Sequence, residues 1–174
     1  MSATSSGGSS ATSGGEGDAD AGGTGGAEGS TGGASGLNGT PTEEDRSALP
    51  TVRQEHGAAA LDGEVYVLGG FTPEASSSVQ AYDPETDRWR DVADFPVVFH
   101  HPNVAVVDGM IYVTGFLLGS SLSDGDGRAF AYDPAADEWT PRASMPVGTE
   151  RGSACVATLG EHIYVFGGAS SATL

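Results

Sequence analysis

"EVYVLGG" at residues 64–70 is followed by "VQAYDPETDRW" at 79–89, and nearly the same text returns as "MIYVTGF" at 110–116 and "AFAYDPAADEW" at 129–139. The pairs Asp62-Gly63, Asp108-Gly109 and Gly160-Glu161 align, and Arg53, Phe99 and Arg151 each stand thirteen residues before Tyr66, Tyr112 and Tyr164. Past the glycines at 69, 115 and 167 the first two copies stay in step. Tyr82/Tyr132, Asp83-Pro84/Asp133-Pro134, Trp89/Trp139 and Pro96/Pro146 are each fifty residues apart. The third copy breaks off at Leu174, shortly after Gly167-Gly168.

A period near fifty marks a supersecondary unit that buries its faces only by stacking on copies of itself. Each copy reads as four short strands, 57–61, 64–68, 79–82 and 88–92 in the first. They are separated by an Asp-Gly hairpin, a loop begun by glycine and a turn opened by Asp83-Pro84. Along 64–68, Val65 and Val67 point to one face while Tyr66 and Leu68 point to the other, so the strand must be covered on both. Arg88-Trp89-Arg90 alternates more loosely and belongs nearer solvent. A four-stranded sheet sandwiched between its own copies is a β-propeller blade, and the fold class is all-β.

The combination of a glycine pair after an apolar strand (Gly69-Gly70, Gly167-Gly168), a Tyr before Asp-Pro, and a Trp seven residues beyond that Tyr resembles the kelch repeat. The resemblance covers about 53–174 and divides the chain into repeats at 51–98 and 99–148 and a partial repeat at 149–174. Copy two departs from it with Gly115-Phe116, which implies an altered strand end because Phe cannot take the positive φ open to Gly. Propellers close with about four to eight blades. Some two and a half blades are expected either to belong to a longer protein or to complete a ring with other chains.

Residues 1–50 read differently. The first forty contain fourteen of the 28 glycines, with mainly Ser, Thr and Ala between them and only Met1 and Leu37 as larger apolar groups. Such a stretch cannot bury enough surface to offset its ordering entropy, and it is expected to be a disordered acidic tether. Of the net charge of −17, about −6 falls in 1–50 (seven acids, one Arg) and −11 in the rest (seventeen acids, six Arg). With no basic stripe, phosphates are repelled, so neither part suits nucleic acid or an anionic membrane. The apolar run from Met110 to Gly119 is too short to span a bilayer. No charged leader followed by an apolar core is visible after Met1. A flexible small-residue tether suits an extracellular or cell-envelope setting.

Function is expected in loops, because fold alone does not specify it. Tracing one blade puts the lead-in to its first strand, the loop between its second and third strands and the blade-to-blade connection at one end. This rim carries Arg53, Phe99, His100, His101, Asp124, Asp126, Glu150 and Arg151. In kelch propellers ligands are bound by loops at one end of the channel, and the resemblance places a protein or glycan ligand here. Arg53 and Arg151 suit either a grip on a ligand carboxylate or a pairing with a neighbouring blade's acid. Adjacent residues on extended chain point to opposite sides, so His100-His101 reads as loop or strand edge and no metal site or cofactor is expected. "SDGDG" at 123–127 lacks the spaced acids and closing Glu of a calcium loop and reads as a solvated turn. Cys155, matching Gly57 and Asn103, is expected to be buried and unreactive. No catalytic set is visible, which favours a non-enzymatic recognition module; the alternative is a piece of a propeller enzyme acting on sugars, of the oxidase or sialic acid epimerase type.

Overall fold

The computed structural model describes residues 44–119 and 124–170, so the tether reading of 1–43 falls outside the described residues. Within them the chain forms ten strands and no helix. Blade 1 comprises β1 (Gly57–Leu61), β2 (Glu64–Leu68), β3 (Val79–Asp83) and β4 (Arg88–Val92). Blade 2 comprises β5 (Val104–Val107), β6 (Met110–Leu117), β7 (Gly125–Asp133) and β8 (Glu138–Arg142), and a third blade begins with β9 (Cys155–Leu159) and β10 (His162–Phe166). All neighbouring strands pair antiparallel, in the sheet orders β1-β2-β3-β4, β5-β6-β7-β8 and β10-β9.

Turn chemistry follows from the sequence. Asp62 (φ 51°) and Gly63 (φ 84°) both take left-handed conformations, as do Asp108 and Gly109, which gives the hairpin twist that Asp-Gly favours. The Asp83 carboxylate accepts the Glu85 N–H at 2.8 Å, and Asp133 accepts the Ala135 N–H at 2.9 Å, so each Asp-Pro opens a turn held by its own side chain. In copy two the register between β6 and β7 shifts between Thr114 and Phe116. Gly115 takes φ 89° there, and Phe116 is turned into the core at 0% exposure. This is the altered strand end implied by Gly115-Phe116.

The core lies between blades 1 and 2. Tyr66 and Leu68 from one face of β2, and Ile111 and Val113 from β6, are all at most 1% exposed. Phe95, from the connection between the blades, sits within 4.3–5.4 Å, centroid to centroid, of Phe99, Phe116, Phe130 and Trp139. On the other face of β2, Val67 is buried at 6% exposure and Val65 is open at 37%, so cover on that side is partial. On β10, Tyr164 and Phe166 are exposed, and so is Cys155 on β9, which corrects its expected burial.

The connection between blades is locked by side chains of the repeat. Ala93 donates its N–H to the Asp137 carboxylate (2.8 Å) and accepts from the Trp139 indole (2.9 Å), while the Tyr132 hydroxyl reaches the same carboxylate (2.7 Å). Blade 1 repeats this joint with Ser47, whose N–H meets Asp87 (2.8 Å) and whose carbonyl accepts from Trp89 (2.9 Å). Ser47-Ala48-Leu49-Pro50 matches Ala93-Asp94-Phe95-Pro96 at the same 46-residue offset that relates Arg53 to Phe99. Residues 47–50, assigned to the tether by composition, are therefore bonded to blade 1 in the manner of the 93–96 connection. The boundary drawn at 50 moves back accordingly.

Candidate functional site

The lead-ins to β1, β5 and β9 form one continuous hydrogen-bonded arc. Glu55, His101 and Ser153 occupy the same repeat position and all take left-handed conformations, with φ 59°, 49° and 54°. The His101 N–H donates to the Glu55 carbonyl at 2.8 Å, and the Ser153 N–H donates to the His101 carbonyl at 2.8 Å. Since β1, β5 and β9 are each the first strand of their sheets, the arc joins successive blades at one end of their first strands. Asn103 fastens it further: its side-chain amide donates to the carbonyls of Thr114 and Arg151 (both 2.9 Å), and its Oδ1 accepts the Ala154 N–H (2.8 Å).

Two residues expected to face a ligand serve the scaffold instead. Arg53 is 8% exposed and spends its guanidinium on the carbonyls of Gly69 and Ser78 (both 3.1 Å) and on Gln80 Oε1 (2.9 Å). It binds the carbonyl ends of its own blade, so neither a ligand grip nor a pairing with an acid of the next blade describes it. Phe99 is fully buried against Phe95 and Phe116, and a Cβ on Gly69 would stand 2.6 Å from its ring, so glycine there makes room for it. Arg151 repeats half of the Arg53 pattern, donating to the carbonyls of Thr149 (2.8 Å) and Gly167 (3.1 Å). It remains half-buried.

Asp126 pairs with Arg128, whose NH2 lies 2.6 Å from Oδ2 and whose N–H donates to Oδ1 at 2.8 Å. Burial alone would raise the Asp126 carboxyl, but the Arg128 side chain and N–H together hold it below the usual carboxylate range. Asp124 is exposed, and its carbonyl accepts the Leu118 N–H at 2.9 Å. Beside them, Asp126, Arg128, Met145, Val147 and Glu150 line a groove of about 460 Å³. Met145 holds the repeat position of Phe95, and no described aromatic residue encloses it as Phe130 and Trp139 enclose Phe95.

His100 and His101 do come together, contrary to the opposite-sides argument. The left-handed turn at His101 breaks the alternation of an extended chain, and the two Nδ1 atoms stand 2.7 Å apart. Glu55 Oε2 lies 3.2 Å from His101 Nδ1 and 3.8 Å from His100 Nδ1. His100 is fully buried, tilted against the Phe71 ring at 4.4 Å, and its backbone pairs with Leu117 in both directions. Burial, and next the neighbouring His101, hold the His100 imidazole below its ordinary range, so it is neutral near pH 7. Sequence reasoning missed Glu55. The signal was there in the alignment, because Glu55 falls two residues after Arg53, as His101 falls two after Phe99.

The profile described as the Kelch motif matches residues 53–96. The chain carries kelch repeats. The Kelch-like protein terF of Aspergillus terreus is 40% identical over 147 residues, covering 75% of this chain and 32% of that protein. The Kelch-like protein 21 of Rattus norvegicus is 38% identical over 97 residues, covering 49% of this chain and 16% of that protein. The kelch chain described here thus spans a third or less of the length of these curated relatives. The solved structure of YjhT superposes with a TM-score of 0.61 at 19% identity over 69% of this chain and 46% of that one, a likeness of fold.

Proposed function

We propose that this kelch chain is a recognition module that binds an extended, basic protein segment with the rim formed by the lead-ins and Asp124. The reading rests on one observation: the arc through Glu55, His101 and Ser153 fixes consecutive blades in register through main-chain bonds and leaves Glu55 and Ser153 exposed at its edge. Arg53 and Phe99, the residues behind the arc, are consumed by the scaffold, and the exposed side chains on this rim include Gln54, Glu55, His56, Asp124 and Ser153. The carboxylates among them are Asp124 and Glu55, the latter 3.2 Å from His101 Nδ1, and they favour a positively charged partner. Kelch repeats in the relatives support a binding module of this kind.

The test uses the purified chain against a displayed library of extended peptides. Enriched peptides are expected to be rich in Lys or Arg, and Glu55→Lys and Asp124→Lys should each weaken them about 10-fold or more, while Asp133→Lys, at the Asp-Pro turn on the other end of the blade, should not. Equal weakening by the Asp133 variant, or enrichment of acidic peptides, overturns the reading.

A further inference from the structure

We propose that Glu55, His100 and His101 form a site for a borderline divalent cation, best matched by Zn²⁺, at the edge of the lead-in arc. Their donor atoms all lie within 4.8 Å of one another. Zinc holds imidazole nitrogen and carboxylate oxygen at roughly 2.0–2.2 Å, so two donors of a tetrahedral site stand roughly 3.3 Å apart. The observed separations of 2.7, 3.2 and 3.8 Å bracket that value. Two imidazoles and a carboxylate, with no thiolate, suit zinc and its neighbours in the transition series rather than Ca²⁺ or Mg²⁺. Three protein donors leave a coordination position for water or for a donor supplied from the rim.

Proton placement favours a cation over a simple hydrogen-bonded cluster. An imidazole Nδ1 carries either a proton or a lone pair. With a lone pair, His101 Nδ1 faces the Glu55 carboxylate with nothing between them. With a proton, it must divide one N–H between Glu55 Oε2 and His100 Nδ1. A cation accepts a lone pair from each of the three atoms and satisfies them together. The surroundings are those of a built site: His100 is immobilised by burial, by Phe71 and by its pairing with Leu117, and the backbone at Leu118 and Gly119 flanks its ring. Its Nδ1 is the atom turned toward the other two donors, so Nε2 carries the ring proton and lies buried without a hydrogen-bond partner among the described residues. Glu55 and His101 are fixed to each other by the 2.8 Å bond between their backbones. The site goes beyond the recognition reading and does not depend on it.

The experiment is titration of the full chain, stripped of metal by chelator and dialysis, with Co²⁺ as a visible reporter. One equivalent of Co²⁺ is expected to give the intense d–d absorption of a four- or five-coordinate site, and one equivalent of Zn²⁺ to abolish it. Glu55→Gln and His101→Ser are expected to weaken binding by at least about 10-fold, since even an outer-shell partner is worth that much. Serine suits the backbone at 101, because Ser153 holds the matching position at φ 54°. Asp62→Asn, at the opposite end of β1, should change nothing. Absence of the d–d band, or a band that survives Glu55→Gln unchanged, overturns the proposal, and the Glu55 variant decides even if the His101 variant does not fold.

Discussion

The two interfaces between consecutive blades use the same repeat positions and reach different ends. Between blades 1 and 2, Phe95 is 2% exposed and enclosed by Phe99, Phe116, Phe130 and Trp139. Between blade 2 and the strands β9 and β10, Met145 takes the place of Phe95 and is only half-buried, with grooves of about 460 and 310 Å³ on either side of it. The inner strands are joined in both cases, by the lead-in arc and, at the second interface, by Asn103. The first two strands suffice for register in both places, while the ring around Phe95 draws on the lead-in (Phe99) and on the second, third and fourth strands of blade 2 (Phe116, Phe130, Trp139). Substitutions at matched positions turn this contrast into numbers.

Phe95→Ala should give the largest effect. Removing a buried aromatic ring from a packed core costs about 3–5 kcal/mol through lost transfer energy and the cavity left behind. Met145→Ala, at a half-exposed site that already borders open space, should cost about 1 kcal/mol or less. Urea unfolding of the two variants measures both. Comparable losses would mean that the second interface is as well packed as the first, against the grooves seen beside Met145.

The next contrast is between the matched arginines. Arg53→Met leaves the carbonyls of Gly69 and Ser78 and the Gln80 side chain without their shared donor in a buried setting, at about 2–3 kcal/mol. Arg151→Met removes bonds to two carbonyls at a wetter site, and should cost about 1 kcal/mol or less. Chemical denaturation again provides the measurement. A larger loss at Arg151 would show that its role is not the half-built counterpart of Arg53.

The strands of blade 1 were legible almost to the residue, because each boundary is marked by a residue with a local physical reason: Asp62-Gly63 for the hairpin, Asp83-Pro84 for the turn, alternation across Val65 to Leu68. The rim was legible as a place but not as a set of roles. Arg53 and Phe99 recur for the scaffold's sake, and recurrence alone cannot separate a side chain that holds the blade from one that faces a partner. The convergence of His100 and His101 depends on a left-handed backbone at His101, which a rule for extended chains does not foresee. Glu55 escaped notice because its partners lie in the following blade. The connection at 47–50 was hidden by composition: Ser47 and Ala48 look like the tether before them, and only the offset to Ala93-Asp94-Phe95-Pro96 reveals them.

That connection supplies the smallest of the expected effects. Ser47 and Ala93 make the same joint, but Trp139 is 9% exposed while Trp89 is half-buried and its acceptor, the Ser47 carbonyl, belongs to an exposed residue. Trp139→Phe removes an indole N–H from a largely dry joint and should lower global stability by about 1–1.5 kcal/mol. In Trp89→Phe, water can replace the lost donor, so global stability should fall by about 0.5 kcal/mol or less, and the effect should be local. Arg46, the first Arg of a chain without Lys, lies one residue before the joint and provides the reporter. Trypsin should cut after Arg46 a few-fold faster in Trp89→Phe than in the parent, and at an unchanged rate in Trp139→Phe at equal global stability. If Trp89→Phe leaves that cleavage rate untouched, the Ser47 joint does not hold 47–50 in place, and the segment belongs with the chain before it after all.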